Sequence, residues 1–173
     1  RQYNAVNLSQ GFPDFECSAE LREALTKAMN DGHNQYAPMP GIIQLRETIS
    51  TKTQALYAKV YNPETEITVV PGATLALFTA ITAMVHPGDE VIVIEPAYDC
   101  YVPAIELCGR IAVYSSLQYP DFSINWDEIK SLINPKTRMI IINSPQNPGT
   151  SVIDKNDLEQ LAALTRDTNI IVI

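Results

Sequence analysis

The sequence predicts an α/β fold built on a mostly parallel sheet, preceded by an N-terminal arm. From residue 67 onward short apolar runs alternate with helical patterns. Runs such as 91–94 and 139–142 are apolar at every position, the mark of strands covered on both faces. The composition shifts near residue 67 from a polar, aromatic stretch to this apolar alternation.

In chain order, residues 1–17 read as an irregular arm, with Gly11, Phe12, Pro13, Asp14 and Phe15 as a turn-forming segment. Ser18 is placed to cap a helix whose face carries Leu21, Ala24, Leu25, Ala28 and Met29, and Gly32 ends it. A stiff loop, Asn34-Gln-Tyr-Ala-Pro-Met-Pro-Gly41, leads into a second helix with Ile42, Leu45, Ile49, Leu56 and Val60 on one stripe, closed by Asn62 and Pro63.

The alternation then gives a strand at 67–70, a helix from Thr74, a strand at 91–94, a helix around 101–107 and a strand at 111–114. Asn125 and Glu128 frame a capping-box-like start to a helix through Ile133. A strand at 139–142, a helix at about 157–165 and a strand at 169–173 complete the pattern.

The chain has 173 residues, enough for one domain, and 46% hydrophobic content supports a sizeable core. A net charge of −8 with no basic block repels a nucleic-acid backbone. The longest apolar stretches fall short of the roughly 20 residues that span a bilayer. The amino end has neither an initiating Met nor an apolar signal core, so residues upstream are expected and a cytoplasmic location is the default. Cys17, Cys100 and Cys108 have no Cys-x-x-Cys spacing and read as reduced buried thiols. His33 and His86 lack partners at metal-ligand spacing, so no metal site is assigned.

Three strand ends carry candidate chemistry. Gly72, Ala73 and Thr74 form a small-residue turn into an apolar helix, where free amides would receive a phosphate; the alternative is a plain strand-to-helix joint. Tyr98, after residues 91–94, would lie against a planar heteroaromatic ligand or else pack in the core with Asp99 capping the next helix. Asn147 stands between Pro145 and Pro148 at the end of another strand, presented either to a ligand or to its own turn. Neither a Gly-x-Gly-x-x-Gly nor a Gly-Lys-Ser/Thr motif occurs, so a smaller phosphorylated ligand fits better than a dinucleotide or nucleoside triphosphate. A planar, phosphorylated, hydrogen-bonding cofactor of modest size meets all three ends, as pyridoxal 5'-phosphate does.

At these residues the chain resembles the fold-type-I, pyridoxal-phosphate-dependent class I/II aminotransferases, and within them looks most like bacterial methionine aminotransferases and kynurenine/glutamine transaminases. The resemblance rests on Asn7-Leu-Ser-Gln-Gly-Phe-Pro-Asp-Phe15, the loop at 34–41, Leu45-Arg-Glu47, Pro71-Gly-Ala-Thr-Leu-Ala-Leu77, Gly88-Asp-Glu-Val91, Glu95-Pro-Ala-Tyr-Asp-Cys-Tyr101 and Asn143-Ser-Pro-Gln-Asn-Pro148, in order and spacing.

It implies an incomplete large domain of the fold-type-I transferase fold, a mostly parallel sheet with helices on both faces. Residues 1–45 would be an arm and helix of the small domain and dimer contact, and 46–173 the first part of the cofactor-binding large domain. The implied roles are Ala73 and Thr74 on the cofactor phosphate, Tyr98 on the pyridine ring and Asn147 on the phenolic oxygen. Tyr36 would reach the phosphate of a partner subunit in a homodimer, and Gly11 and Phe12 would lie by the substrate carboxylate.

One departure is local: the family often has Gly two residues after the Asn-Pro pair, whereas here Gly149 follows at once and Thr150 comes next. A larger one is that the family's pyridine-nitrogen aspartate, Schiff-base lysine and carboxylate-gripping arginine have no counterpart, so no catalytic residue is expected before Ile173 and the chain is expected to be an inactive fragment. The implied reaction passes an amino group from a sulfur-containing or aromatic amino acid to a 2-oxo acid. A cysteine-conjugate β-lyase of the same fold and a non-catalytic α/β binding module are the alternatives.

Overall fold

Leu21, Leu25 and Met29 recur at helical spacing, and α1 (Ala19–Asn30) forms there. Ser18 occupies the N-cap but makes no side-chain capping bond. The apolar face is left exposed, with Leu21 at 64%. α2 (Ile43–Tyr57) ends earlier than its stripe predicts, because Ala58 takes a left-handed φ of 54° and returns its N–H to Gln54 O. Val60 therefore lies beyond the helix.

The buried face of α2 is polar. Arg46 donates from Nε to Gly41 O at 3.1 Å and from Nη1 to Pro63 O at 2.6 Å, while Ser50 Oγ donates to Tyr61 O at 2.5 Å. These bonds pin the loop after α2 onto the helix and satisfy a buried guanidinium that would otherwise be costly.

The computed structural model describes residues 3, 5, 6, 11 and 13–173. The chain forms two compact units, Arg1–Thr68 and Val69–Ile173, and α2 lies within the first.

The second unit comprises α3 (Ala73–Met84), β1 (Glu90–Glu95), α4 (Tyr101–Glu106), β2 (Ile111–Ser116), α5 (Trp126–Leu132), β3 (Thr137–Ile141), α6 (Lys155–Thr165) and β4 (Ile171–Val172). The sheet order is β2-β1-β3-β4, with every pair parallel. The run at 67–70 joins no ladder among the described residues, contrary to expectation: β2 and β4 hold the sheet's edges, and an apolar run becomes a strand only by pairing.

Side chains alternate across a strand, and here both faces are covered. Val91, Val93, Met139 and Ile141 pack with Ile81 of α3 and Ile105 of α4. Ile92, Ile94 and Ile140 pack with Ile129 of α5 and Leu161 of α6 on the opposite face. Ile92 and Ile140 are completely buried, and each such side chain contributes on the order of 1.5–3 kcal/mol relative to exposure.

The caps hold as predicted at Asn125, whose side chain accepts from Glu128 N–H, and a full capping box links Asp154 and Asp157. Asp157 also accepts the indole N–H of Trp126 at 2.8 Å, tying α6 to α5. Cys17 is exposed and Cys100 and Cys108 are half-buried, so the thiols are not the buried ones expected. Among the described residues no helix is long and apolar enough to cross a membrane.

Candidate functional site

The connection after β1 leads to α4 on one face of the sheet, and that after β3 leads to α6 on the other. A crevice opens where neighbouring strands send their connections to opposite sides, just beyond their carboxyl ends. Tyr98 follows β1 and Asn147 follows β3, so these two flank the crevice.

The third segment arrives there because α3 runs counter to the strands. Its carboxyl end is held at the sheet's amino edge by two arginines: Arg110 Nε donates to Val85 O at 2.7 Å and Nη2 to Thr82 O at 3.0 Å, and Arg138 Nε donates to Met84 O at 3.0 Å. Twelve residues at about 1.5 Å each carry the helix about 18 Å back toward the carboxyl ends. Cationic groups at the C-terminus complement the helix dipole and leave its positive end facing the crevice.

Gly72, the N-cap, has φ 98° and ψ 159°, a conformation costly for any side chain. The first helical bond runs from Ala76 N–H to Gly72 O at 3.2 Å, so the amides of Ala73, Thr74 and Leu75 have no helical acceptor. The Thr74 side chain lies against the Cys100 thiol. Burial pushes that thiol up from its ordinary value, Thr74 partly offsets this, and the Asp99 charge adds to it.

The Tyr98 ring is 38% exposed and meets Tyr101 edge-on, with centroids 5.9 Å apart and planes at 68°. Tyr101 takes the core position, only 9% exposed. Burial raises its phenol above the ordinary value, and the neighbouring Cys100 and Tyr98 add to the shift. Asp99 does not cap α4, whose N-cap is Cys100.

The Asn147 turn is closed from within. Asn143 Oδ1 accepts the Asn147 N–H at 2.8 Å, and Ser144 Oγ accepts that of Ile153 at 3.0 Å. The Asn147 side chain is exposed and makes no hydrogen bond among the described residues. Thr150 supplies the left-handed conformation with φ 63°, at the position where the family often has Gly. Gly149 is needed for space instead: a Cβ there would sit 2.9 Å from Gln146 Oε1.

The second unit thus gathers the turns carrying Ala73, Thr74, Tyr98 and Asn147 at one edge. Tyr36 and Gly11 are exposed in the first unit, and Phe12 and residues 7–10 lie outside the described residues. Sequence reasoning passed over Gln146 and Tyr101. Gln146 stands between two prolines in the motif, and that fixed position was its only signal. The lysines Lys27, Lys52, Lys59, Lys130, Lys136 and Lys155 are all exposed.

The profile of the family described as aminotransferase class I and II matches residues 3–173. A methionine aminotransferase of Escherichia coli is 47% identical over 161 residues, covering 93% of this chain and 42% of that protein. A kynurenine–oxoglutarate transaminase of Dictyostelium discoideum is 37% identical over 177 residues, covering 93% and 41%. The crystal structure of YbdL from Escherichia coli, described as identifying a methionine aminotransferase function, superposes with a TM-score of 0.95 at 45% identity, covering 99% of this chain and 45% of that one. The chain therefore spans less than half the length of these relatives.

Proposed function

The chain belongs to the class I and II aminotransferases, and from that premise we propose that the whole protein transfers an amino group between a sulfur-containing or aromatic amino acid and a 2-oxo acid, using pyridoxal phosphate held in part by this chain. The observation that carries the reading is that helix amides with no helical acceptor, a half-exposed aromatic ring and an amide side chain with no hydrogen bond among the described residues all belong to turns on the carboxyl side of the sheet. The residues fit the cofactor. A phosphate dianion matches the positive end of α3, where the Ala73 and Thr74 amides would donate to it. The Tyr98 ring would cover a pyridine face, and the Asn147 amide would donate to the phenolic oxygen.

When bound, the cofactor supplies an electron sink for the amino acid's α-carbon. The residues of this chain bind and orient it, and none is assigned the proton transfer. Tyr36, wholly exposed, would serve the phosphate of a second subunit in a homodimer. Gly11 and Phe12 would line the substrate carboxylate site. The names of the methionine and kynurenine relatives support the substrate range.

The test is Asn147→Ala in the whole protein, with cofactor affinity measured by equilibrium dialysis. Losing one hydrogen bond, worth about 1 kcal/mol, weakens binding about 5-fold. Unchanged affinity together with unchanged kinetics would remove Asn147 from the site.

A further inference from the structure

Gln146 is a buried polar side chain, 9% exposed, at the edge of an otherwise exposed turn. Three of its bonds stay inside that turn: Oε1 accepts Gly149 N–H at 2.6 Å, the backbone N–H donates to Ser151 O at 2.8 Å, and the backbone C=O accepts Thr150 N–H at 2.7 Å. The fourth leaves it. Gln146 Nε2 donates to Pro96 O, 50 residues earlier in the chain and two residues before Tyr98.

Among the described residues this is the one hydrogen bond joining the Asn147 turn to the segment after β1. Beneath it lies a cavity of about 20 Å³, lined by Ile94, Tyr101, Ile141, Asn143 and Gln146 among others. The bond is thus a direct tie between the two turns and constrains their spacing.

We propose that Gln146 is a positioning residue: by tying the Asn147 turn to Pro96, it fixes where the Asn147 amide stands relative to the Tyr98 ring, and so how well that amide meets a polar atom on a ligand covering the ring. This rests on the cofactor reading above. Gln suits the position because it offers a donor to one turn and an acceptor to the other from a single planar group, which a carboxylate does not.

The experiment is a pH titration of the bound cofactor's near-visible absorbance in the whole protein reconstituted with pyridoxal phosphate. An N–H donated to the phenolic oxygen favours the form in which that oxygen carries more charge, so weakening the bond moves the midpoint to higher pH. Gln146→Met keeps the volume and removes the tie without adding charge; Gln146→Ala serves if Met does not fold. The midpoint is expected to rise by about 0.5 unit, part of the rise in Asn147→Ala. The double variant is expected to titrate like Asn147→Ala alone, because Gln146 acts through Asn147.

Trp126→Phe removes an inter-helix bond away from the crevice and is expected to lower stability with the midpoint in place. A merely structural Gln146 would behave the same way. Wild-type titration in Gln146→Met beside a shifted Asn147→Ala overturns the positioning role and leaves the cofactor reading standing. So does a Gln146→Met shift that persists undiminished in the Asn147→Ala background. An unshifted Asn147→Ala overturns both.

Discussion

Replacing Gly149 with Ala tests whether the turn after β3 is set by side-chain closeness or by backbone conformation. Gly149 is not among the glycines with positive φ, which are Gly32, Gly41, Gly72, Gly88 and Gly109. Ala should thus suit its backbone and, by restricting the unfolded chain, stabilise by about 0.4–1 kcal/mol. Against that, the new Cβ would sit 2.9 Å from Gln146 Oε1 and 3.5 Å from Gln146 Cδ and Leu117 Cδ1. Oε1 has no free path of retreat, since it holds the Gly149 N–H at 2.6 Å while Nε2 of the same amide is bound to Pro96 O. Relief requires breaking these bonds in a nearly buried place, at about 1–3 kcal/mol for each polar group left unsatisfied.

The expected net destabilisation is about 1–2 kcal/mol, read from urea unfolding of the whole protein followed by circular dichroism. The cycle with Gln146→Ala isolates the cause, because without the amide the clash disappears and Gly149→Ala becomes neutral or mildly stabilising. Equal costs in both backgrounds, or no cost in the natural one, would refute the steric argument.

Two further outcomes follow from the same region. Thr150→Gly relieves a β-branched residue at φ 63°, and after the added chain entropy of Gly is subtracted it should stabilise by about 0.5–1 kcal/mol; a loss of stability in urea would show that the Thr side chain matters more than its backbone. The raised values of Cys100 and Tyr101 mean that the unfolded chain gives up those protons first as pH rises. Their contribution is complete below the ordinary thiol value of about 8.5 and declines above it. Cys100→Ala with Tyr101→Phe should flatten the fall in stability as pH rises above the ordinary thiol value of about 8.5 and through the ordinary phenol value of about 10, and an unchanged slope would discount both groups.

What could be read in advance was whatever depends on neighbours along the chain. The cap at Asn125, the period-free apolar strands β1 and β3 and the Gly72 turn before α3 are local chemistry, legible as side-chain type at fixed spacing; the Asp154 capping box is equally local but went unread. The stripe assigned to α2 misled, because its buried face is Arg46 and Ser50, whose partners lie in a loop that folds back from beyond the helix. The run at 67–70 misled for a related reason, since strand character belongs to a pair of segments and not to one.

By itself, then, the sequence determined the α/β alternation, the two motifs that follow β1 and β3 and the Gly72 turn that opens α3. Tertiary structure decided how those motifs meet. Arg110 and Arg138 hold the far end of α3 so that its amides face the crevice, Thr74 comes to rest against Cys100, and Gln146 reaches across to Pro96. Each of these contacts joins residues dozens of positions apart, and local propensity carries no information about such a partner until the sheet order β2-β1-β3-β4 places the strand ends side by side.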